Sequence, residues 1–258
     1  MKKSVLFAVI IITAVTFAGA AGIHAGNGNI VSTETILQPF EKIHSGSTAE
    51  IRYYASQDYR AVITVDSNIQ RCIELKVKNG TLIIKHKHWH WCFPKKYTVE
   101  IYCPVLTGVH ISGSGSFTGI DKITAPSFHI NVSGSGKIDG TVECDNYSIA
   151  ISGSGKITNN LVCNSMSADI SGSGRITVTG NGNDVSIRIS GSGKFNGIEF
   201  QSNKTTARIS GSGDLEIWAL ESLRANVSGS GMITYRGNPQ VDFNSSGSGR
   251  IKREEQNG

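Results

Sequence analysis

The chain has 258 residues, 38% of them hydrophobic, with a formal net charge of +5. That apolar fraction excludes a disordered low-complexity chain, and the length suffices for one large β domain or two small ones. The charge is too mild for a nucleic-acid binder: losing Lys2 and Lys3 with a leader takes the 25 basic residues to 23, against 20 acidic ones.

Residues 1–20 read as a signal peptide. Lys2 and Lys3 form a charged start, 5–17 an apolar run, and Ala18-Gly19-Ala20 a small-residue cleavage site. The run is short for a membrane span. No second long apolar stretch follows, so no transmembrane segment is expected in the mature chain. The expected location is the periplasm, the outer-membrane surface or the outside of the cell.

Residues 21–35 read as a linker, and 36–108 as an N-terminal β region. Its strands are expected at 49–54, 61–65, 73–77, 81–85 and 97–102. Asn79-Gly80 between two of them is a type I′ hairpin signal. This region either caps the open end of the C-terminal repeats or supplies irregular first coils.

Within it lies His86-Lys87-His88-Trp89-His90-Trp91-Cys92. If extended, His86, His88, His90 and Cys92 share one face, and Trp89, Trp91 and Phe93 the other. Imidazole and thiolate suit zinc or copper. Same-face neighbours on one strand lie about 6–7 Å apart, too far for all four to reach one ion without a turn. A hairpin extension with an aromatic face is therefore preferred, with Trp89 and Trp91 as candidate ligand contacts and no metal or other cofactor.

Residues 109–251 repeat. A Ser-Gly-Ser-Gly tetrad begins at Ser112, Ser133, Ser152, Ser171, Ser190, Ser210, Ser228 and Ser246, at spacings of 18–21 residues. Its glycines are Gly113 and Gly115, Gly134 and Gly136, Gly153 and Gly155, Gly172 and Gly174, Gly191 and Gly193, Gly211 and Gly213, Gly229 and Gly231, and Gly247 and Gly249. One residue before the first seven tetrads stands Ile or Val, from Ile111 to Val227, and three before stands a second apolar side chain. Two residues after each tetrad stands another, from Phe117 to Ile251. This period of two is a strand pattern, and a helix would lose about 1 kcal/mol at each interior glycine.

A coil this short cannot bury its apolar face alone. The expected fold is therefore all-β: a parallel β-helix, or β-solenoid, of about eight coils with an N-terminal β-rich cap, its strands about 4.8 Å apart. The glycines permit positive φ at a corner or close approach between layers. The serines are expected to stack in hydrogen-bonded ladders. The last tetrad follows Ser245 instead of Ile or Val, as an atypical terminal repeat would, and 252–258 read as a flexible tail.

Lys137, Lys156, Arg175 and Lys194 follow four successive tetrads and should form a basic stripe. Such a stripe suits an anionic polysaccharide or lipid headgroup, or is simply a solvated face that resists edge-to-edge association. Cys144 and Cys163 share one offset and should stack as buried thiols; Cys72, Cys92 and Cys103 could supply one disulfide, the pair undetermined. Asp121, Asp139, Asp145, Asp169, Asp184, Asp214 and Asp242 share no stripe, which disfavours a β-helix polysaccharide-cleaving enzyme.

The runs Pro39-Phe40-Glu41-Lys42-Ile43, Asn79-Gly80-Thr81-Leu82-Ile83-Ile84, Val99-Glu100-Ile101-Tyr102-Cys103-Pro104-Val105-Leu106 and Val109-His110-Ile111-Ser112-Gly113-Ser114-Gly115 carry a resemblance. Over roughly residues 36–251 the chain resembles the autotransporter adhesin head GIN domain family, exported β-rich proteins of Bacteroidota. The resemblance implies a β-helix-like fold and a cell-surface, adhesive role. The expected function is thus an exported, non-catalytic β-solenoid in surface adhesion or envelope and glycan interaction. The alternatives are a carbohydrate-active β-helix enzyme, or a metal-binding envelope protein using His86 to Cys92.

Overall fold

The computed structural model of the chain describes residues 22–87 and 90–254; at Gly22, Ile23, His90 and Trp91 it describes the backbone alone. The expected signal peptide, His88, Trp89 and the last four tail residues lie outside the described residues.

The first strands are β1 (Gly22–Ala25), β2 (Ile30–Ile36), β3 (Lys42–Ser45), β4 (Glu50–Ala55) and β5 (Arg60–Asp66). A 3-10 turn, Gln70–Cys72, leads to β6 (Ile73–Lys78), β7 (Thr81–His86), β8 (His90–Phe93) and β9 (Tyr97–Cys103). β1 and β2 occupy the stretch expected to be a linker, and that expectation is corrected. β2 is an edge strand held by antiparallel backbone pairing to β5, which needs no apolar face, so its Ser-Thr-Glu-Thr run concealed it. β6 and β7 form the expected hairpin, with Lys78 opposite Thr81 and positive φ at both Asn79 (50°) and Gly80 (69°).

The repeat region continues with β10 (Gly108–Ile111), β11 (Ser116–Gly119), β12 (Ile123–Gly134), β13 (Lys137–Gly153), β14 (Lys156–Gly172), β15 (Arg175–Gly191) and β16 (Lys194–Gly211). It ends with β17 (Asp214–Gly229), β18 (Met232–Arg236), β19 (Gln240–Gly247) and β20 (Arg250–Arg253). These strands pair in parallel, coil on coil, in a solenoid of about eight turns. Ser133 lies beside Ser152, then Ser171, Ser190, Ser210, Ser228 and Ser246, so the tetrads form one column.

Inward residues alternate through each coil. Tyr147, Ile149 and Ile151 are buried, and the alternation crosses the tetrad at buried Gly155 to reach Ile157, Leu161 and Cys163. It slips by one at Asn164-Ser165 and resumes with Met166, Ala168 and Ile170. The shared interior is therefore a stack of Ile, Val, Leu and aromatic side chains, with Phe128 stacked on Tyr147 at 6.2 Å between ring centroids. The coil from Ser190 to Ser210 is longer than the next one, and the difference is absorbed as register shifts between Gly197 and Gln201 and between Ser202 and Lys204, away from the tetrads, which stay in line.

The N-terminal region both supplies irregular first coils and closes their end. β10 lies on β3 and β3 on β7; β11 lies on β4 and β4 on β9. The chain thus lays down β3 and β4 first, returns beneath them as β7 and β9, and then climbs past them. Beyond this lowest layer the strands turn antiparallel, with β6 on β7, and β5 and then β2 on β9. At the other end Ser245 stands beside Val227 and is exposed, as an atypical terminal coil requires.

Candidate functional site

The tetrad glycines divide two tasks between them. The first glycine has positive φ in seven tetrads, from 113° at Gly191 to 150° at Gly134; Gly113 in the first coil does not share it. The second glycine packs against the Ile or Val that precedes the tetrad one coil below. A Cβ on Gly136 would lie 2.5 Å from Ile111 Cγ2, and one on Gly155 2.5 Å from Val132 Cγ1. Gly174, Gly193, Gly213, Gly231 and Gly249 repeat that approach. Backbone bonds join the corners: Ser154 N–H donates to Gly134 O and Lys156 N–H to Gly136 O, both at 2.9 Å. The serine hydroxyls stack, but of the described tetrad pairs only Ser246 and Ser228 join, at 3.3 Å. The ladder is a backbone one, which corrects the hydroxyl ladder expected from sequence.

Directly after this corner Lys137, Lys156, Arg175 and Lys194 stand side by side, all exposed. Lys194 pairs with Asp214 of the next coil at 2.7 Å. Among the described residues Lys137, Lys156 and Arg175 have no ion-pair partner. Two residues before the tetrad runs a second column that sequence reading missed: His44, His110, Asn131, Ala150, Asp169, Arg188, Arg208, Asn226 and Asn244. Its signal was a fixed offset carrying varied polar residues, which no hydropathy period reveals. Arg188 approaches Asp169 at 3.5 Å, while Arg208 has no ion-pair or hydrogen-bond partner among the described residues. Arg188, Arg208, Asn226 and Asn244, with the tetrad serines beside them, line an open groove of about 440 Å³.

The His/Trp segment is not one strand. β7 ends at His86; β8 begins at His90 and pairs in parallel with β1 in a separate two-stranded sheet. The expected hairpin extension with an aromatic face is therefore corrected: a continuous strand would have needed β6 to continue alongside, and β6 begins at Ile73, opposite His86. Burial holds the His86 imidazole below its ordinary pKa, and its Nδ1 has no hydrogen-bond partner. No group of three or more His, Cys, Asp or Glu among the described residues is placed to hold a metal. His88 and Trp89 lie outside those residues, as do the side chains of His90 and Trp91.

Asp66, fully buried, anchors the base of this region. It accepts N–H groups of Gly28 at 2.7 Å, Lys95 at 2.8 Å and Lys96 at 3.3 Å. Burial opposes its ionisation, but these backbone donors outweigh that and hold its carboxyl below the usual range. Among the scattered aspartates, Asp169 and Asp214 are engaged by Arg188 and Lys194, Asp121 accepts the Ala55 N–H at 3.0 Å, and Asp242 pairs with Arg224 at 3.3 Å, each at a separate place.

Parallel coils over one apolar stack, turned at glycine corners, define a β-solenoid protein with polar columns along its length. The chain belongs to the family described as "Putative auto-transporter adhesin, head GIN domain", whose profile matches residues 39–161 and 148–239. A solved structure described as a putative lipid binding protein from Parabacteroides distasonis is 27% identical, covers 91% of this chain and 100% of its own, and superposes with a TM-score of 0.87. A putative adhesin from Parabacteroides merdae is 22% identical over 90% of this chain and 99% of its own, with a TM-score of 0.86. A second putative adhesin, from Parabacteroides distasonis, is 24% identical over 90% of this chain and 100% of its own, also at 0.86. The latter two show the shared fold. No curated protein matches the sequence. Among the described residues no helix is long and apolar enough to cross a membrane.

Proposed function

We propose that the protein is exported by residues 1–20 and acts without catalysis in surface adhesion, gripping an anionic envelope polymer or headgroup along its basic column. The carrying observation is the unpaired run of Lys137, Lys156 and Arg175, one cation per coil in successive coils. Like charges about 4.8 Å apart repel one another and are relieved by a polyanion of comparable charge spacing. Arg188 and Arg208, two residues before their tetrads, add cations on the other flank of the corner. Family membership supports the adhesive part of this reading, and the relative described as lipid binding supports the headgroup arm.

The test is binding of the purified chain to an array of anionic and neutral glycans and to vesicles with and without anionic lipid, at low and high salt. Salt-sensitive retention on the anionic members supports the proposal, and the arm that responds names the source. Equal retention on neutral glycans would redirect it to the aromatic segment at Trp89 and Trp91. Release of shortened oligosaccharide would replace it with the carbohydrate-active alternative. Stoichiometric zinc or copper, lost on His88→Ala with His90→Ala, would replace it with the metal-binding one.

A further inference from the structure

The five cysteines are placed very differently. Cys103 lies in β9, fully buried, with its thiol directed at Val105 O 3.6 Å away. Cys144 and Cys163 stand side by side on β13 and β14. A Cβ on Gly182, one coil above, would meet Cys163 Sγ at 3.1 Å, so that sulfur points up the stack and away from Cys144. Stacked but diverging sulfurs do not present bridging geometry.

Cys72 and Cys92 differ from these. Cys72 ends the 3-10 turn and is 1% exposed; its carbonyl accepts the Lys87 N–H at 2.7 Å, which places it at the root of the segment leaving β7. Cys92 returns on β8, partly exposed and packed on the same core cluster. Both thiols are free in the structure, and Cys72 is near enough to act on the Cys92 thiol. We infer that Cys72 and Cys92 are the pair that closes to a disulfide when the chain meets an oxidant, binding both ends of the His/Trp segment to the body of the protein.

The oxidant is another disulfide, of glutathione or of a thiol oxidase. One cysteine attacks it as thiolate, forming a mixed disulfide and releasing one thiol; the other cysteine then displaces the second. Cys72 and Cys92 lose two protons and two electrons, and the oxidant leaves as two thiols. Burial, with the nearby Cys72 thiol, pushes the Cys92 pKa up to about 12, so attack from the folded, reduced protein is slow and the bridge forms during folding. The pairing stands on geometry; its presence in cells rests on the proposed export.

The full chain is refolded in mixed oxidised and reduced glutathione, alkylated after denaturation and cleaved with trypsin. The expected product joins peptide 72–76 to peptide 88–95, with Cys103, Cys144 and Cys163 alkylated. Any other pair, or five alkylated cysteines, overturns the inference. The refolded wild type should melt several degrees higher than its reduced form, and Cys92→Ser should melt alike with and without reductant. A reductant-sensitive melt that persists in Cys92→Ser also overturns it. The same peptide map on protein taken from whole cells separates the two proposals: a bridge formed in vitro that is missing in cells sinks the export reading and leaves the pairing intact.

Discussion

Gly155 sits against Val132 so closely that a Cβ on it would lie 2.5 Å from the valine Cγ1. Neither can retreat, because the Lys156 N–H holds the corner to Gly136 O at 2.9 Å. Gly155→Ala is expected to cost about 1–3 kcal/mol through overpacking. Gly153→Ala should cost a similar amount by a different route, since Gly153 has φ 125° and its added Cβ would meet Gly134 O at 2.8 Å. Ser154 between them is exposed, and Ser154→Ala should stay within about 0.5 kcal/mol. Denaturant midpoints of the three variants check the contrast. A Gly155→Ala protein as stable as wild type would show that the close approach is not needed.

A polar pair inside the stack supplies a second test. The Tyr147 hydroxyl donates to Asn159 Oδ1 at 2.5 Å, and Asn159 Nδ2 donates to Gly140 O at 3.0 Å. Asn159 occupies an inward position and is only 3% exposed, so it depends on these partners. Tyr147→Phe leaves its carbonyl oxygen without a donor and should cost about 1–3 kcal/mol. Tyr147→Phe combined with Asn159→Val should recover part of that loss, because removing both polar groups removes the orphan. Thermal melts of the single and double variants read this out.

The coil pattern was legible because the tetrad and its apolar flanks recur at nearly constant spacing, and parallel stacking is the arrangement that buries every flank. One corner escaped. Gly46-Ser47-Thr48-Ala49 fills the place of Ser112 to Gly115 one coil below, since Ser45 lies beside Ile111 and Glu50 beside Ser116. Ala49 replaces the second glycine there, and β5 to β9 intervene before the next corner, so neither composition nor spacing marked it. The stacked rings of His44 and His110, 4.4 Å apart, escaped for the same reason. β2 was missed because backbone pairing to β5 and polar contacts such as Gln70 Nε2 to Thr33 Oγ1 hold it, and neither leaves an apolar period in the sequence. Of the candidate site, the basic column was readable from one offset, whereas Arg188 and Arg208 share theirs with Asn, Ala and Asp. The break between β7 and β8 was unreadable, because it depends on β1 offering β8 another partner.

The basic column predicts a charge-dependent contact. Lys156→Glu with Arg175→Glu should weaken binding to an anionic polysaccharide or vesicle at low salt. Each cation near an anionic surface contributes about 1 kcal/mol, so each loss should cost roughly fivefold in affinity. Both side chains are exposed, and stability should change by no more than about 0.5 kcal/mol. The same change at Lys137 should act in the same direction, and raised salt should shrink every difference. Affinity titrations at two ionic strengths decide it; unaltered binding by the double variant would remove the column from the contact.

Stability should also fall in mild acid, for a reason lodged in two histidines. His110 is held below its ordinary pKa of 6.5 by burial and by His44 stacked on it, and burial alone does the same to His86. His44 Nε2 meets Ser112 Oγ at 3.2 Å and His110 Nε2 meets Ser133 Oγ at 3.4 Å, contacts that fix both rings without a carboxylate to stabilise an imidazolium. As pH drops below 6.5 the unfolded chain takes up protons that the folded chain still refuses, so unfolding gains. The contribution is absent well above 6.5, grows as pH falls and levels off once the folded rings protonate. Asp66 acts separately and lower, below the ordinary carboxylate value of 3.8, where its lowered pKa makes further acid destabilising as its backbone-bound carboxylate is neutralised. Urea unfolding from about pH 7.5 to about pH 5 isolates the histidines. His110→Asn, which matches Asn131 in the same column, should flatten that slope while leaving the Asp66 region unchanged. A variant with the wild-type slope would assign the pH dependence elsewhere.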